Sequence, residues 1–275
     1  MKYTIVGATG FIGSHMLSFM KSMNVEIFCP EKNYDYNQNE DLGVVFYCAG
    51  YGDCKNDVNN VVDANVNKLK EILTAGNFSK LIYVSSTRVY INADTSSENS
   101  DLIISFNDER KLFNLSKLVA EELCRLSSKK VIIVRPSNVY GLAINSPLFL
   151  PQIIKNAITN HHVDMFINPD YEKDYVSVDD VVYIMYQLSL RNDICGEVFN
   201  IASGYNISAE NIAEVLASTT GCNIKWHANN TKEIFPVTNM EKTNAIIPHN
   251  YKNMLDDLQD MIEEFKIYQG QQNGR

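Results

Sequence analysis

No stretch of this 275-residue sequence stays apolar for the roughly eighteen residues that a membrane-spanning helix requires, so no helical membrane protein is expected. Positive charge is also short: 24 Lys and Arg stand against 33 Asp and Glu, a net charge of −9. A nucleic-acid binder needs a clustered basic face, so that class is excluded. A small anionic ligand is not, because a helix N-terminus and a few basic side chains supply local positive potential. Paired-cysteine spacing is missing. Cys29, Cys48, Cys54, Cys124, Cys195 and Cys222 form neither a disulfide framework nor a tight metal motif, and read as reduced thiols packed like small apolar side chains. The five histidines hold no HExxH-like pair, and the adjacent His161 and His162 diverge on any regular element, so no metal site is expected. The apolar start, Met1 to Gly13, is broken by glycines and has no basic leader or cleavage site. It is not a signal peptide, and the expected compartment is the cytoplasm.

What remains is an ordinary globular composition, 45% apolar and 21% charged, with length for one large α/β unit or a dominant domain with a smaller appendage. Lys2–Val6, Val25–Cys29, Val44–Cys48, Leu81–Ser85 and Val131–Val134 read as short apolar strands. Helical periodicity covers about Ile12–Ser22, Val58–Ala75 and Lys111–Leu126, the last strongly amphipathic. Pro30–Asp41 and the stretch after Ser85 to about Asn107 are polar loops. Apolar strands alternating with helices predict a parallel sheet covered on both faces. From Pro147 onward short helices (Leu150–Thr159, Val178–Leu190, Ala209–Ser218, Asn253–Phe265) alternate with strands near Asp164–Ile167 and Val198–Ile201, predicting a smaller lobe on the C-terminal edge of the sheet. Gly270–Arg275 reads as a frayed tail.

Gly7-Ala8-Thr9-Gly10-Phe11-Ile12-Gly13 lies between a strand and a helix, the context a dinucleotide fingerprint needs. Gly7 permits the tight turn, Gly10 lets backbone approach a pyrophosphate, and Gly13 lets the helix pack on the sheet. Amides at the helix start then face the phosphates. The second strand ends Cys29-Pro30-Glu31-Lys32. An acidic residue there bonds ribose hydroxyls of NAD, and a basic one accepts the 2′-phosphate of NADP. Glu31 leans to NAD, and Lys32 beside it leaves NADP open.

Together with later segments, this turn resembles the extended short-chain dehydrogenase/reductase family of sugar-nucleotide epimerases, dehydratases and reductases, over almost the whole chain. Gly7 to Gly13 matches the family's GxxGxxG. Asn65-Val66 is similar to its helix packed under the active site, and Val84-Ser85-Ser86-Thr87-Arg88-Val89-Tyr90 to the strand end carrying the catalytic serine, by register Ser86. Arg135-Pro136-Ser137-Asn138-Val139-Tyr140-Gly141 resembles RPxNVYG, Lys173-Asp174-Tyr175-Val176-Ser177-Val178-Asp179-Asp180-Val181 resembles RDYVHVDDV, and Phe199 to Gly204 followed by Ser208 resembles FNIGSG…S. The resemblance implies a Rossmann-like doubly wound sheet: residues 1–145, with later segments around 170–202, form an NAD(P)-binding domain, and 146–270 form mainly the substrate lobe. It implies a cofactor site of Gly7, Thr9, Gly10, Phe11, Ile12, Gly13, Glu31, Cys48, Ala49, Lys117 and Pro136. It places Ser86, Thr87, Arg88, Asn138 and Lys173 with a nucleotide sugar, and implies a homodimer through helices Val58–Ala75 and Lys111–Leu126.

The family's Tyr-x-x-x-Lys is Phe113-Asn114-Leu115-Ser116-Lys117 here. The tyrosine passes a proton to or from the sugar oxygen as hydride moves, the lysine holds the nicotinamide ribose and lowers the tyrosine pKa, and Ser86 orients the same oxygen. Phe has no proton to give, and losing a general acid or base typically costs ~10²–10⁴ in rate. Three accounts stand open: an introduced Tyr→Phe change that traps substrate, proton transfer by another group such as Tyr90 or a water on Ser86, or a silent binder. The family's 4,6-dehydratases carry Asp-Glu straight after the Ser/Thr, where this chain has Thr87-Arg88, so dehydration is disfavoured. The family's third strand and helix have only about a dozen residues between Glu31 and Val44, which trims the adenine side. The resulting expectation is 4-keto-sugar reduction on a nucleotide sugar, with 4-epimerisation and a non-catalytic NAD(P)-binding module as alternatives.

Overall fold

The structure is a computed structural model that describes residues 1–144, 146, 148–228 and 233–273. Six strands make one parallel sheet: β1 (Lys2–Val6), β2 (Glu26–Phe28), β3 (Val44–Tyr47), β4 (Lys80–Val84), β5 (Val131–Pro136) and, from far along the chain, the strand Val198–Ile201, in the order β2-β1-β3-β4-β5 with that last strand at the far edge. Between β1 and β2 runs α1 (Phe11–Lys21). Between β3 and β4 run α2 (Val58–Val62) and α3 (Lys68–Ala75), and between β4 and β5 runs α4 (Lys111–Leu126).

Each strand is apolar on both sides because each side is covered. On one face Tyr3, Ile5, Phe46, Ile82, Val84, Ile132 and Val134 pack with Met16 and Met20 of α1 and with Val181 and Ile184 of a later helix. On the other, Val45, Tyr47, Leu81, Tyr83 and Ile133 meet Leu69 and Ile72 of α3 and Ala120 and Cys124 of α4. This is the doubly wound Rossmann-like architecture. Val58–Ala75 is not one uniform helix: a single π-helical turn, Asp63–Asn67, joins α2 to α3.

After β5 the chain forms β6 (Asn138–Tyr140), α5 (Phe149–Thr159), β7 (His162–Met165), β8 (Glu172–Ser177), α6 (Val178–Leu190), β9 (Val198–Ile201), β10 (Asn206–Ser208), α7 (Ala209–Thr220), β11 (Asn223–Trp226), α8 (Glu241–Ile246) and α9 (Met254–Asn273). β6, β8 and β10 form a small mixed sheet, and β7 pairs parallel with β11. A separate apolar core built from α5, α7, α9, β7 and β11 holds this lobe together, with Ile154, Leu216, Leu258 and Phe265 buried in it. α6 and β9 belong instead to the main sheet and its first face. Asn145 and Pro147, where the change of segment chemistry falls, lie outside the described residues.

Two readings of the sequence are corrected. The tail is not frayed from Gly270, because α9 runs on to Asn273; one glycine costs a helix only about 1 kcal/mol, too little to stop one already docked on a core. Gly274 and Arg275 lie outside the described residues. The predicted strand Asp164–Ile167 is displaced to His162–Met165, where it finds its register against β11. Between Phe28 and Val44 a short 3-10 turn, Tyr36–Gln38, and one isolated bridge replace a strand–helix unit, and Tyr36 is buried against the second face.

Candidate active site

The glycine turn closes on backbone. Gly7 has φ +83°, and a Cβ there would lie 2.7 Å from the Ala49 amide nitrogen; a Cβ on Gly13 would lie 2.1 Å from the Gly7 carbonyl oxygen. Cys48 donates its amide to the Val6 carbonyl, which brings the ends of β1 and β3 together under the turn. Gly10 is different: a Cβ there meets only the Gly7 carbonyl oxygen, at 3.3 Å, and otherwise open space. α1 begins at Phe11 with no side-chain cap and no acidic residue in its first turn. The first-turn amides of Phe11, Ile12 and Gly13 therefore have no intrahelical acceptor, and the dipole there favours an anion. These features fit a dinucleotide pyrophosphate. Pro136 closes β5 on the same side of the sheet, at the strand ends. Glu31 stands apart, exposed beyond β2, with its carbonyl accepting from the Tyr34 amide.

One element over, Lys117 of α4 is 4% exposed and donates to the Val84 carbonyl at 2.9 Å, its one acceptor among the described residues. An ammonium has three donors, so two have no acceptor among the described residues; the Cβ that Gly50 lacks would sit 3.2 Å from Nζ. Burial lowers the Lys117 pKa to about 8, with the Glu121 carboxylate opposing the fall. Phe113, one turn earlier, presents its ring 5.7 Å from that ammonium. Ser86 lies two residues beyond β4; its hydroxyl accepts from the Arg88 amide at 3.1 Å and starts the 3-10 turn Thr87–Tyr90. The π turn places Asn65 under the site. Asn65 is fully buried, accepts from the Tyr51 amide, and donates to the Tyr51 carbonyl and to Ser116 Oγ. That one side chain ties the loop after β3 to α4, in keeping with the frequent placement of π turns at functional sites.

Behind Lys117 lies a buried chain of polar groups. Glu121 accepts two bonds from Arg135, at 3.0 and 2.6 Å, and a third from the Ser85 hydroxyl. Arg135 also donates to Tyr90 Oη, which in turn donates to Asn200 Oδ1. Tyr90 is 1% exposed and its hydroxyl is fully committed, so it is not the substitute proton carrier considered from the sequence.

A cleft of about 1540 Å³ runs from Phe11 past Asp108 and Arg110 to Asn138, Lys173 and the start of α5. Ligand pockets usually measure roughly 300–1,000 Å³, so this one has room for a ligand with several parts. Asn138 opens β6 and donates to the Asp174 carbonyl at 2.7 Å. The Asp174 carboxylate fixes the surrounding loop by accepting from Ser137, Ser203 and the Gly204 and Tyr205 amides. Lys173 lies 4.9 Å from the Tyr171 ring centroid and 5.0 Å from that of Phe235, with no ion pair among the described residues. Burial lowers its pKa to about 8, with the Glu233 carboxylate opposing the fall and Arg88 and Arg110 adding to it. Thr87 shares a small recess with Asn138 and Phe235. Arg88 does not line the large cleft. It is 7% exposed and its guanidinium is held by Asp108 at 2.8 Å and Glu233 at 3.1 Å. Sequence reading missed Asp108, Arg110 and Glu233. For Arg110 the signal was its place three residues before Phe113, at the N-cap of α4; Glu233 had none, being 145 positions from its partner.

A doubly wound sheet with a glycine phosphate turn, a buried lysine on α4 and a serine just beyond β4 is the architecture of the extended short-chain dehydrogenase/reductase class. The chain belongs to the NAD dependent epimerase/dehydratase family, whose model matches residues 3–202. It is 23% identical to the UDP-glucose 4-epimerase of Mycoplasma genitalium, with 96% of this chain and 97% of that protein covered. It is 24% identical to the dTDP-D-glucose 4,6-dehydratase of Dictyostelium discoideum, over 78% of this chain and 61% of that one, so it spans less than two thirds of that relative. Among solved structures, MoeE5 in complex with UDP-glucose and NAD superposes with a TM-score of 0.82 at 19% identity, covering 98% of this chain and 99% of MoeE5.

Proposed function

We propose that this chain binds NAD(P) and a nucleotide-linked sugar side by side and works by hydride exchange at a sugar carbon. The observation that carries the reading is the cleft itself: Phe11 of the phosphate turn lines the same space as Asn138 and Lys173. Gly7, Thr9, Gly10, Phe11, Ile12 and Gly13 would hold the pyrophosphate, with Cys48, Ala49 and Pro136 as the floor beneath it. Lys117 would hold the nicotinamide ribose through its two free donors. Glu31, near the adenine end, favours NAD. The cofactor, when bound, accepts or delivers the hydride. MoeE5, which is similar in fold, holds NAD and UDP-glucose.

Asn138 and Lys173 would bind the diphosphate of the sugar nucleotide. Lys173 is buried between two rings without a hydrogen bond or ion pair among the described residues, the attraction of Glu233 does not offset that burial, and a phosphate would supply the missing partner. Ser86 would hold the reacting sugar oxygen. Phe113 leaves that oxygen without the family's proton donor, so slow turnover is expected. Thr87 and Arg88 offer no carboxylate for elimination of water, which favours reduction of a 4-keto sugar. Epimerisation at C4 is the second reading, favoured by the near full-length likeness to a UDP-glucose 4-epimerase. Leu115, Val119 and Leu126 are exposed on α4 and Val58 on α2, an apolar stripe that supports a homodimer through these helices.

The test is to denature protein purified from cells and identify released nucleotides by mass spectrometry, with calorimetry using NAD, NADPH and nucleotide sugars alongside. Binding of an NAD(P) form and of a nucleotide sugar is expected. A folded protein that binds neither would sink the reading.

A further inference from the structure

Two cations line the cleft, Lys173 and Arg110, and another, Arg88, lies buried behind its wall; they are not equivalent. Arg88 is neutralised by Asp108 and Glu233. Lys173, near the same Phe235 ring as Arg88, lines the cleft with Asn138, where a diphosphate would bind. Arg110 is the third. Its guanidinium carbon lies 4.9 Å from the centroid of the Phe113 ring, and its Nη2 would be 3.3 Å from a Cβ on Gly52, the glycine that also faces Phe113. Among the described residues the guanidinium makes no hydrogen bond and no ion pair. The nearby carboxylate of Asp108 is spent on Arg88, on Asn114 Nδ2 and on the backbone amide of Arg110. Arg110 therefore brings five donors without a hydrogen-bond acceptor to the face of the Phe113 ring, its charge met by that ring and by the less direct pull of Glu233 and Asp108.

We propose that Arg110 is a specificity residue that receives an anionic substituent on the sugar, so that the preferred ligand is a nucleotide-linked uronic acid or its 4-keto form. The inference rests on the nucleotide-sugar reading above. A pyranose C4 oxygen between Ser86 and Phe113 would bring the substituents on the neighbouring C3 and C5 towards the Phe113 ring face where Arg110 stacks, and of the two only C5 carries a carboxylate in a uronic acid. A C5 carboxylate meets the guanidinium fork with two parallel bonds. A neutral hydroxymethyl group leaves the cation unpaired once the cleft fills and water leaves, which costs affinity. The diphosphate would be held by Lys173 and Asn138 beside Phe235, whereas Arg110 stacks on Phe113.

The experiment is calorimetry on the intact chain saturated with NAD, titrated with UDP-glucuronate, UDP-glucose and UDP, and with the three dTDP counterparts. Within the base that binds, the glucuronate should bind roughly tenfold or more tighter than the glucose, the scale of one charge-assisted contact. Arg110→Gln should bring the two sugars within about twofold of each other and leave the free nucleoside diphosphate unchanged. Arg110→Lys, which keeps the charge without the fork, should retain part of the preference. Equal affinity of both sugars for the unaltered chain would overturn the inference and leave the nucleotide-sugar reading standing. A proportional loss of all three ligands in Arg110→Gln would move Arg110 to the diphosphate, and also overturn it. Binding of none of the six by the folded chain would remove both.

Discussion

The Lys117 ammonium faces the ring of Phe113 across 5.7 Å, one turn apart on α4, in the arrangement where a tyrosine hydroxyl would meet both that charge and a bound sugar oxygen. Phe113→Tyr is expected to raise turnover on nucleotide sugars or their 4-keto forms by ~10²–10⁴, the usual worth of a general acid or base. NAD(P)H consumption and epimer formation by both forms, on a panel of substrates, decide it. Equal, robust rates would show that another group moves the proton. Silence in both forms would favour a non-catalytic role.

Gly10→Val should leave the fold intact and remove NAD(P)H binding, because its Cβ meets protein only at the Gly7 carbonyl oxygen, 3.3 Å away, and otherwise enters the space where the pyrophosphate would lie. Gly13→Ala should behave in the opposite way and unfold the turn, since its Cβ would lie 2.1 Å from a carbonyl oxygen. Circular dichroism and calorimetry on the two variants separate these effects. Unchanged cofactor affinity in folded Gly10→Val would place the site elsewhere.

Lys173 should make nucleotide-sugar binding sensitive to alkali. Its pKa in the free protein is lowered to about 8, and a bound diphosphate needs the charged form. Affinity is therefore full below pH 8 and declines as pH rises through it. Lys173→Ala should weaken binding at neutral pH, flatten this dependence and spare NAD(P)H. A dependence that persists in the variant would assign it to another group.

Lys117 should cost stability where its charge is buried. With a pKa lowered from 10.5 to about 8, the folded state disfavours the cation by ~3 kcal/mol. The unfolded chain binds more protons between those values, so this term is fully present below pH 8 and relieved towards pH 10.5. Lys117→Met should melt higher than the unaltered protein at pH 7, the gap should shrink by pH 10, and cofactor binding should be lost. An equal gap at both pH values would contradict the assignment.

Arg135→Met should destabilise the chain by about 3–5 kcal/mol, because it strands the Glu121 carboxylate, 4% exposed, without its partner. Urea denaturation measures this. A loss under about 1 kcal/mol would mean that water or Ser85 replaces the arginine.

Much of the sheet was legible because its strands are apolar on both faces and its turn needs glycine at fixed spacing. β1, β3, β4, β5, α4 and α6 follow directly from that pattern. The lobe strands were not: Glu172–Ser177 and Asn206–Ser208 carry mixed polar residues, and their pairing is decided by partners distant in sequence. The π turn hides inside a good helical period, since an extra backbone residue leaves the apolar spacing almost unchanged. Site residues inside contiguous segments, such as Ser86, Lys117 and Asn138, could be placed by register. Arg88 could not be read correctly, because its role depends on Asp108 and Glu233, and a charge reads as solvent-facing until its partners are known.

The outer margin of β9 is closed by side chains. Lys242 donates to the Val198 carbonyl, Thr243 to the Asn200 carbonyl, and the Asn200 amide is taken by Glu98. At the other margin β2 is three residues long and runs into Pro30 two residues later. Parallel sheets assemble slowly and leave apolar strands exposed while they do so. With neither rim offering a run of free amides and carbonyls, the finished sheet gives a second chain almost no template on which to add a strand. Fibril-like stacking is thereby suppressed in the native state, and the hazard of aggregation is confined to the interval before α8 and the loop carrying Glu98 have docked.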